Sequence, residues 1–173
     1  MTAGPSIRNA RRGDVPSLVL LWTAQMEENA RLDPRLSPHP PAREHVAGQF
    51  GLWLQDPERL VYVAEEGRVV IGYAAGRVSP GTGWHQPLRM GEITDCFVVP
   101  ARRRQGIARR LATRVTEALF NLNLDTIRLQ VAALNPASLS FWRSLGFDPL
   151  ETVVEWHGRG AEGPSPPPEV EKL

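Results

Sequence analysis

The sequence predicts an α/β (α+β) fold, a mixed sheet with helices on both faces. Three observations predict it. Short β-rich runs alternate with runs of helical periodicity. Their order is strand, two helices, several strands, then helix, strand, helix, strand. Glu66-Gly67 between two β-rich runs marks a hairpin, so part of the sheet is antiparallel.

The elements follow in order. Ser6–Ala10 reads as a first strand. Asp14 before Val15-Pro16 is a helix start, because Asp caps and Pro tolerates the first turn. Leu18, Leu21, Trp22, Gln25 and Met26 then recur at helical spacing, which predicts a helix over about 14–30. Residues 31–41 hold four prolines and should end it. A second helix is expected over about 42–54, with Val46, Phe50 and Trp53 on one face. Leu60–Ala64 and Val69–Val78 form the hairpin, and 79–88 is a turn-rich loop. Met90–Val99 is a long strand stopped by Pro100. Ile107, Leu111, Val115, Leu119 and Leu122 mark a strong helix over 106–121. Thr126–Ala132, Pro136–Leu145 and Thr152–Trp156 complete the pattern as strand, helix and strand. One domain is expected over residues 1–158. The Pro/Gly-rich segment 159–173 is expected to be a disordered tail.

Composition excludes several classes. The formal charge is +1, so no global field favours nucleic acid or an anionic membrane. Cys96 is the sole cysteine, which leaves no internal disulfide and no cysteine cluster for a metal. No stretch has the length and apolarity of a membrane span or a signal peptide. The expectation is a cytoplasmic protein without a metal.

The sharpest feature is a turn between a strand and a helix, Arg103-Arg104-Gln105-Gly106-Ile107-Ala108. A helix N-terminus presents free N–H groups and a partial positive charge, which suits phosphate. Gly106 and Ala108 permit close approach, and Arg103, Arg104 and Arg109 add charge. A diphosphate is the natural guest. The segment lacks the Gly-Lys-Ser/Thr of a P-loop and the three spaced glycines of the dinucleotide fingerprint. Arg102–Arg104 with Arg109 and Arg110 could also meet nucleic-acid phosphates, or form a solvated loop; the combined motifs favour the diphosphate.

The turn fits an R/Q-x-x-G-x-G/A pattern and resembles the GNAT superfamily of acyl-CoA-dependent N-acyltransferases. Val98-x-Pro100 before the turn is similar to that family's fourth strand. Asn135-Pro136-Ala137-Ser138 with Phe141-Trp142-x-x-Leu145-Gly146-Phe147 resembles its second cofactor segment. Ile7-Arg8-x-Ala10 with Asp14 resembles its usual start, and the hairpin around Glu66–Gly72 is similar to the family's too. The resemblance covers roughly residues 6–157. It implies a mixed, mostly antiparallel central sheet flanked by helices, with the fourth and fifth strands splayed. It further implies that acetyl-CoA is the cosubstrate and that its pantetheine lies in that gap. Cys96, Phe97 and Val98 would then line the pantetheine, and the amides from Arg104 to Arg109 would hold the pyrophosphate. Asn135, Ser138 and Phe141 would flank the cofactor.

Transfer to an amine needs a base and an oxyanion donor. The resemblance implies the Val98 N–H as the donor. Glu92 and Asp95 are the candidate bases. Strand alternation puts Glu92, Thr94, Cys96 and Val98 on one face, with Asp95 and Phe97 on the other, unless a bulge shifts the register. Glu92 is the first choice, acting through water. Asp95 could instead bind the amine or organise the strand, and His85 is a further candidate. Some relatives carry Glu where Thr94 stands and Tyr where Trp142 stands. Trp142 cannot supply a proton as a phenol does and should pack against the cofactor arm or the core; Tyr73 is an alternative acid, though a hairpin Tyr is more often core. Cys96 reads as a small buried hydrophobe, which favours direct attack in a ternary complex over an acyl-enzyme. Recognition should come from the first two helices, the 31–41 segment and the 79–88 loop, which contain Arg31, Asp33, Arg35, His39, Trp84 and His85. The expected acceptor is a small-molecule or peptide amine, and homodimerisation is the default expectation for this resemblance. The alternative reading is a catalytically weak acyl-CoA sensor or partner-binding module.

Overall fold

Helix starts and strand pairings largely follow the local signals above. The computed structural model describes residues 4–81 and 87–155, with Arg43 by its backbone alone. Among them, strands β1 (Ser6–Asn9), β2 (Arg59–Glu66), β3 (Val69–Pro80), β4 (Arg89–Val98) and β5 (Ile127–Leu129) form one sheet. Helices α1 (Val15–Leu32), α2 (Pro40–Trp53), α3 (Ile107–Phe120) and α4 (Pro136–Arg143) accompany it. The strands lie in chain order. The first three pairings are antiparallel and β4–β5 is parallel. A parallel pair needs a crossover, and α3 supplies it. The mixed, mostly antiparallel sheet is therefore present.

Two local corrections arise. Helix α2 begins at Pro40 rather than at 42, because proline is tolerated in the first turn, where its missing N–H has no helical partner anyway. The expected last strand, 152–156, does not form over its described part: residues 151–155 have no regular structure, and Val153 and Val154 are exposed. β-branched residues favour a strand only where a neighbouring strand and a covering face receive them. The 159–173 tail, Trp84 and His85 lie outside the described residues.

Each face of the sheet carries its own core. On one face α3 packs Ile107, Leu111, Ala112, Val115 and Leu119 against Ile71, Ala74, Ile93 and Val98, with Trp142 of α4 beside them. Gly76 and Gly91 make room for this helix: a Cβ at Gly76 would stand 2.7 Å from a Val115 methyl. On the other face α1 and α2 bring Leu18, Leu21, Val46 and Phe50 against Val61, Val63, Tyr73, Ala75 and Phe97. The hairpin turns through Gly67 (φ 54°) and Arg68 (φ 72°), the two left-handed residues of a tight hairpin turn. At the first strand, Arg8 bonds Asp14 through both terminal nitrogens (2.7 and 2.9 Å) and also pairs with Glu65.

Candidate active site

The β4–β5 ladder covers only Gly91–Ile93 opposite Ile127–Leu129. Beyond Ile93 the two strands separate, so the outer edge of residues 94–98 faces a gap. The backbone register decides what that edge presents. Gly72 stands opposite Val98, and the Val99 N–H donates to the Ile71 carbonyl (3.0 Å). Gly72–Val98 is therefore a non-hydrogen-bonded pair, and two residues on Ala74–Cys96 is another. The N–H and C=O groups of Cys96 and Val98 consequently point away from β3, toward the gap. Arg103 Nε already occupies the Val98 carbonyl (2.9 Å), which leaves the Val98 N–H directed there.

The basic turn stands at one end of this gap. Arg104 (φ 64°) and Gly106 (φ 75°) are both left-handed. Holding Arg104 there costs about 1–2 kcal/mol. Gly106 is the N-cap of α3 and supplies no side-chain cap, so the first N–H groups of this 14-residue helix face outward. A Cβ at Gly106 would meet no atom within 4 Å. Among the described residues no side chain fills the space beside Gly106.

The arginines do not all serve that point, which corrects the sequence reading. Arg103 reaches back to both oxygens of Glu28 on α1 (2.8 Å each) and lies over the Phe97 ring. Arg109 bonds the Ser144 hydroxyl (2.9 Å), and Arg110 bonds the Pro5 carbonyl (2.8 Å). Arg102 pairs with Glu66 (2.8 Å). These four bind the turn to the rest of the molecule. Arg104 alone among them makes no side-chain contact of this kind with the described residues. Gln105 and Ala108 lie beside it, and the Ala108 carbonyl is 3.9 Å from the Cys96 sulfur. Cys96 thus faces α3. Burial pushes its thiol up to about 12, which leaves it un-ionised near neutrality and unsuited to carry an acyl group.

A β-bulge changes the face assignments on β4. Ala75 pairs with Asp95 but Gly76 pairs with Ile93, so Thr94 is the extra residue. The bulge puts Glu92, Asp95 and Phe97 on the α1/α2 face, and Gly91, Ile93, Cys96 and Val98 on the α3 face. Simple alternation separated Glu92 from Asp95; the structure places them together. Only the partner strand reveals the bulge.

The two carboxylates differ in surroundings. Glu92 accepts from Arg77 at 2.6 Å. Asp95 is 8 % exposed and accepts from the Tyr73 hydroxyl (3.1 Å), whose oxygen also lies 2.7 Å from Gln25 Oε1 of α1. Burial raises the pKa of Asp95, and the Tyr73 hydrogen bond opposes that rise. Burial, then the Asp95 charge, raises Tyr73 well above the ordinary phenol value, so it stays a neutral hydrogen-bond donor. Sequence alone does not show the Tyr73–Gln25 link; helical spacing, which puts Gln25 on the inner stripe of α1, is the one available signal.

At the far side, Asn135 caps α4 by accepting from the Ser138 N–H (3.0 Å). Phe141 packs edge-on against Trp142, which packs likewise against Phe147. Trp142 is a core residue, as its chemistry suggested. Among the described residues no cluster could hold a metal ion, and no helix is long and apolar enough to cross a membrane.

The acetyltransferase (GNAT) family model matches residues 22–147, most of the chain and all of the gap and turn. The chain belongs to the GNAT acetyltransferase family. Members of this family use acetyl-CoA. A curated relative, thialysine N-epsilon-acetyltransferase of Bos taurus, is 29 % identical over 98 residues, which are 57 % of this chain and 56 % of the relative. The match thus spans little more than half of that relative's length. Among solved structures, a transcriptional regulator from Bacillus halodurans superposes with a TM-score of 0.71 at 20 % identity, covering 88 % of this chain and 99 % of that one. An aminoglycoside N-acetyltransferase in complex with CoA superposes at 0.70 with 20 % identity over 92 % and 99 % of the two chains. A predicted acetyltransferase with acetyl-CoA from Clostridium acetobutylicum gives 0.69 at 22 % identity over 88 % and 96 %. At these identities the likeness concerns the fold.

Proposed function

We propose that this GNAT member is an N-acetyltransferase that moves an acetyl group from acetyl-CoA to a primary amine by direct attack. The observation that carries the reading is the continuity of the open β4 edge with the uncapped N-terminus of α3. Strand-like docking groups and an anion cradle adjoin, which suits a molecule that joins an amide-rich arm to a diphosphate.

The residues divide the work. The amides from Arg104 to Arg109 would hold the pyrophosphate, with Arg104 the side chain free to approach it. The backbone of Cys96, Phe97 and Val98 would align the pantetheine, flanked by Asn135, Ser138 and Phe141. Acetyl-CoA supplies a thioester whose carbonyl can accept an amine. The Val98 N–H would bear the charge that develops on that carbonyl oxygen. Asp95 is the better base: its buried carboxylate has a raised proton affinity, whereas Glu92 is engaged by Arg77 at 2.6 Å. Cys96 lies on the opposite face with an un-ionised thiol, which supports transfer without an acyl-enzyme.

Free-thiol release from acetyl-CoA across a panel of amines tests the reading. Release with at least one primary amine, and no acetyl on Cys96 by mass spectrometry, is expected. Tight acetyl-CoA binding without thiol release on any amine would instead make the chain an acyl-CoA sensor.

A further inference from the structure

The bulge at Thr94 creates an ordered row of charges on the α1/α2 face. Arg59 pairs across the sheet with Arg77, and Arg77 pairs with Glu92. The next row inward on the same face is Val61, Ala75 and Asp95. Apolar packing under α1 and α2 therefore ends at Asp95, and one step further the floor is ionic.

Two charges in this region are less fully matched than the rest: Arg59, whose ion pair is long, and Asp95, which has none among the described residues. Arg77 is taken by Glu92 (2.6 Å), and Arg89 by Glu58 (2.7 Å). Arg59 makes no guanidinium hydrogen bond among the described residues. Its ion partner Asp56 stands off at 3.9 Å and is itself half-exposed. The side chain of Arg59 is only 20 % exposed and lies under the Trp53 ring, 4.5 Å from its centroid. Burial and the neighbouring Arg77 charge both disfavour its ionised form. A guanidinium has five donors in a fixed fork, and leaving them unmet in a half-buried site is costly. Asp95 is the converse case: buried, bonded to a phenol, and without an ion pair among the described residues. Arg59 and Asp95 are close enough to influence each other's ionisation yet do not pair. A cleft of about 340 Å³ opens beside Arg59, lined in part by Asp56, Glu58, Arg77 and Ser79.

We propose that Arg59 binds a carboxylate on the acceptor, so that the preferred acceptor is an ω-amino carboxylate with its amine at Asp95 and its acid at Arg59. The register sets the scale. Asp95 lies two strands and two residues from Arg59, at about 4.8 Å per strand and 3.3 Å per residue. The long Arg59 side chain spans part of that distance and the acceptor spans the rest. An α-amino group beside its own carboxylate is too short, whereas an amine several methylenes away fits. Arg77 and Glu92 neutralise each other and form the wall between the two ends.

This inference rests on the proposed N-acetyltransferase reading for its purpose, but its binding arm can be read without turnover. Titration calorimetry on the full chain in the presence of CoA compares 6-aminohexanoate with hexylamine, which lacks only the carboxylate. Binding of the amino acid at least tenfold tighter is expected, with Arg59→Gln removing that preference and leaving CoA affinity unchanged. Arg59→Lys, which keeps the charge, should retain part of it and guards against misfolding of the first variant. Equal binding of the two probes by the unaltered protein, or a preference that survives Arg59→Gln, overturns the proposal. Thiol release reports on the parent reading separately. Turnover of amines with no carboxylate preference in KM sinks only the Arg59 assignment. A preserved binding preference with no turnover of any amine sinks only the transferase.

Discussion

The two faces of the sheet are built by different means. The α3 face is apolar, and what it offers at its edge is backbone: the N–H groups of Val98 and of the first turn of α3. The α1/α2 face keeps an apolar interior but holds Asp95, Tyr73 and Gln25 within it, then a row of Arg59, Arg77 and Glu92. Backbone groups are common to every sequence that folds this way, so side chains on the first face can vary without loss of the docking edge. Side-chain groups differ between sequences, so the second face is where one member of the family departs from another. Specificity should therefore be altered on the α1/α2 face and cofactor affinity on the α3 face.

The largest expected effect comes from Asp95→Asn, which should lower kcat by about 10²–10⁴-fold while leaving acetyl-CoA affinity within twofold. Its stability should move the other way. The folded pKa of Asp95 is raised, so its contribution is intact below the ordinary carboxylate range and is lost as pH rises through the raised value. Asp95→Asn should accordingly gain on the unaltered protein as pH climbs, in urea unfolding between pH 4 and pH 8. A variant that unfolds more readily at high pH would contradict the burial argument.

Leu111→Ala probes the other face. Leu111 is fully buried beneath α3, and truncation should cost about 2–5 kcal/mol. Because α3 carries the proposed anion cradle, the same variant should weaken CoA binding while leaving the relative preference among amines unchanged. A changed acceptor preference would show that the faces are coupled.

Gly106→Glu should weaken CoA binding by about tenfold to a hundredfold, since it adds strain, bulk and negative charge where N–H groups must reach a diphosphate. No atom of the described residues opposes the new Cβ, so the fold should survive with a loss of about 1–2 kcal/mol from the left-handed backbone. Gly106→Asn, better suited to that conformation, should keep more of the affinity. Equal CoA affinity in a folded Gly106→Glu protein would remove the turn from the site.

The smallest effect concerns a pair remote from both. Arg8 holds Asp14 below its ordinary carboxylate range, chiefly through hydrogen bonding. Asp14→Asn should cost about 1 kcal/mol near neutrality. That contribution is present above the ordinary range and disappears as pH falls through the depressed value, so the two proteins should converge in acid. Neither acceptor preference nor CoA affinity should change.

Much of this arrangement was legible in local pattern. The 3.6-residue recurrence of Ile107, Leu111, Val115 and Leu119 both located α3 and named its buried face. Gly106 at a strand-to-helix turn marks the start of α3 and a left-handed backbone there. The arginines beside it were less informative, because a sequence shows charge but not its partner: Glu28, Glu66, Ser144 and Pro5 engage all but Arg104. Glu92 and Asp95 were legible as candidates, yet Glu92 is brought to the face of Asp95 by a bulge that exists only relative to β3.

The sequence by itself determined the elements, the two apolar surfaces and the place of the turn, because helical and strand periodicities and glycine conformations are local properties. The tertiary structure alone decided which carboxylate is buried, which arginine lacks a partner and how far β5 follows β4. Those outcomes depend on pairing between residues distant in the chain. At the Arg103–Ala108 turn the two meet: local geometry opens the cradle, and long-range ion pairs decide which charge is left to use it.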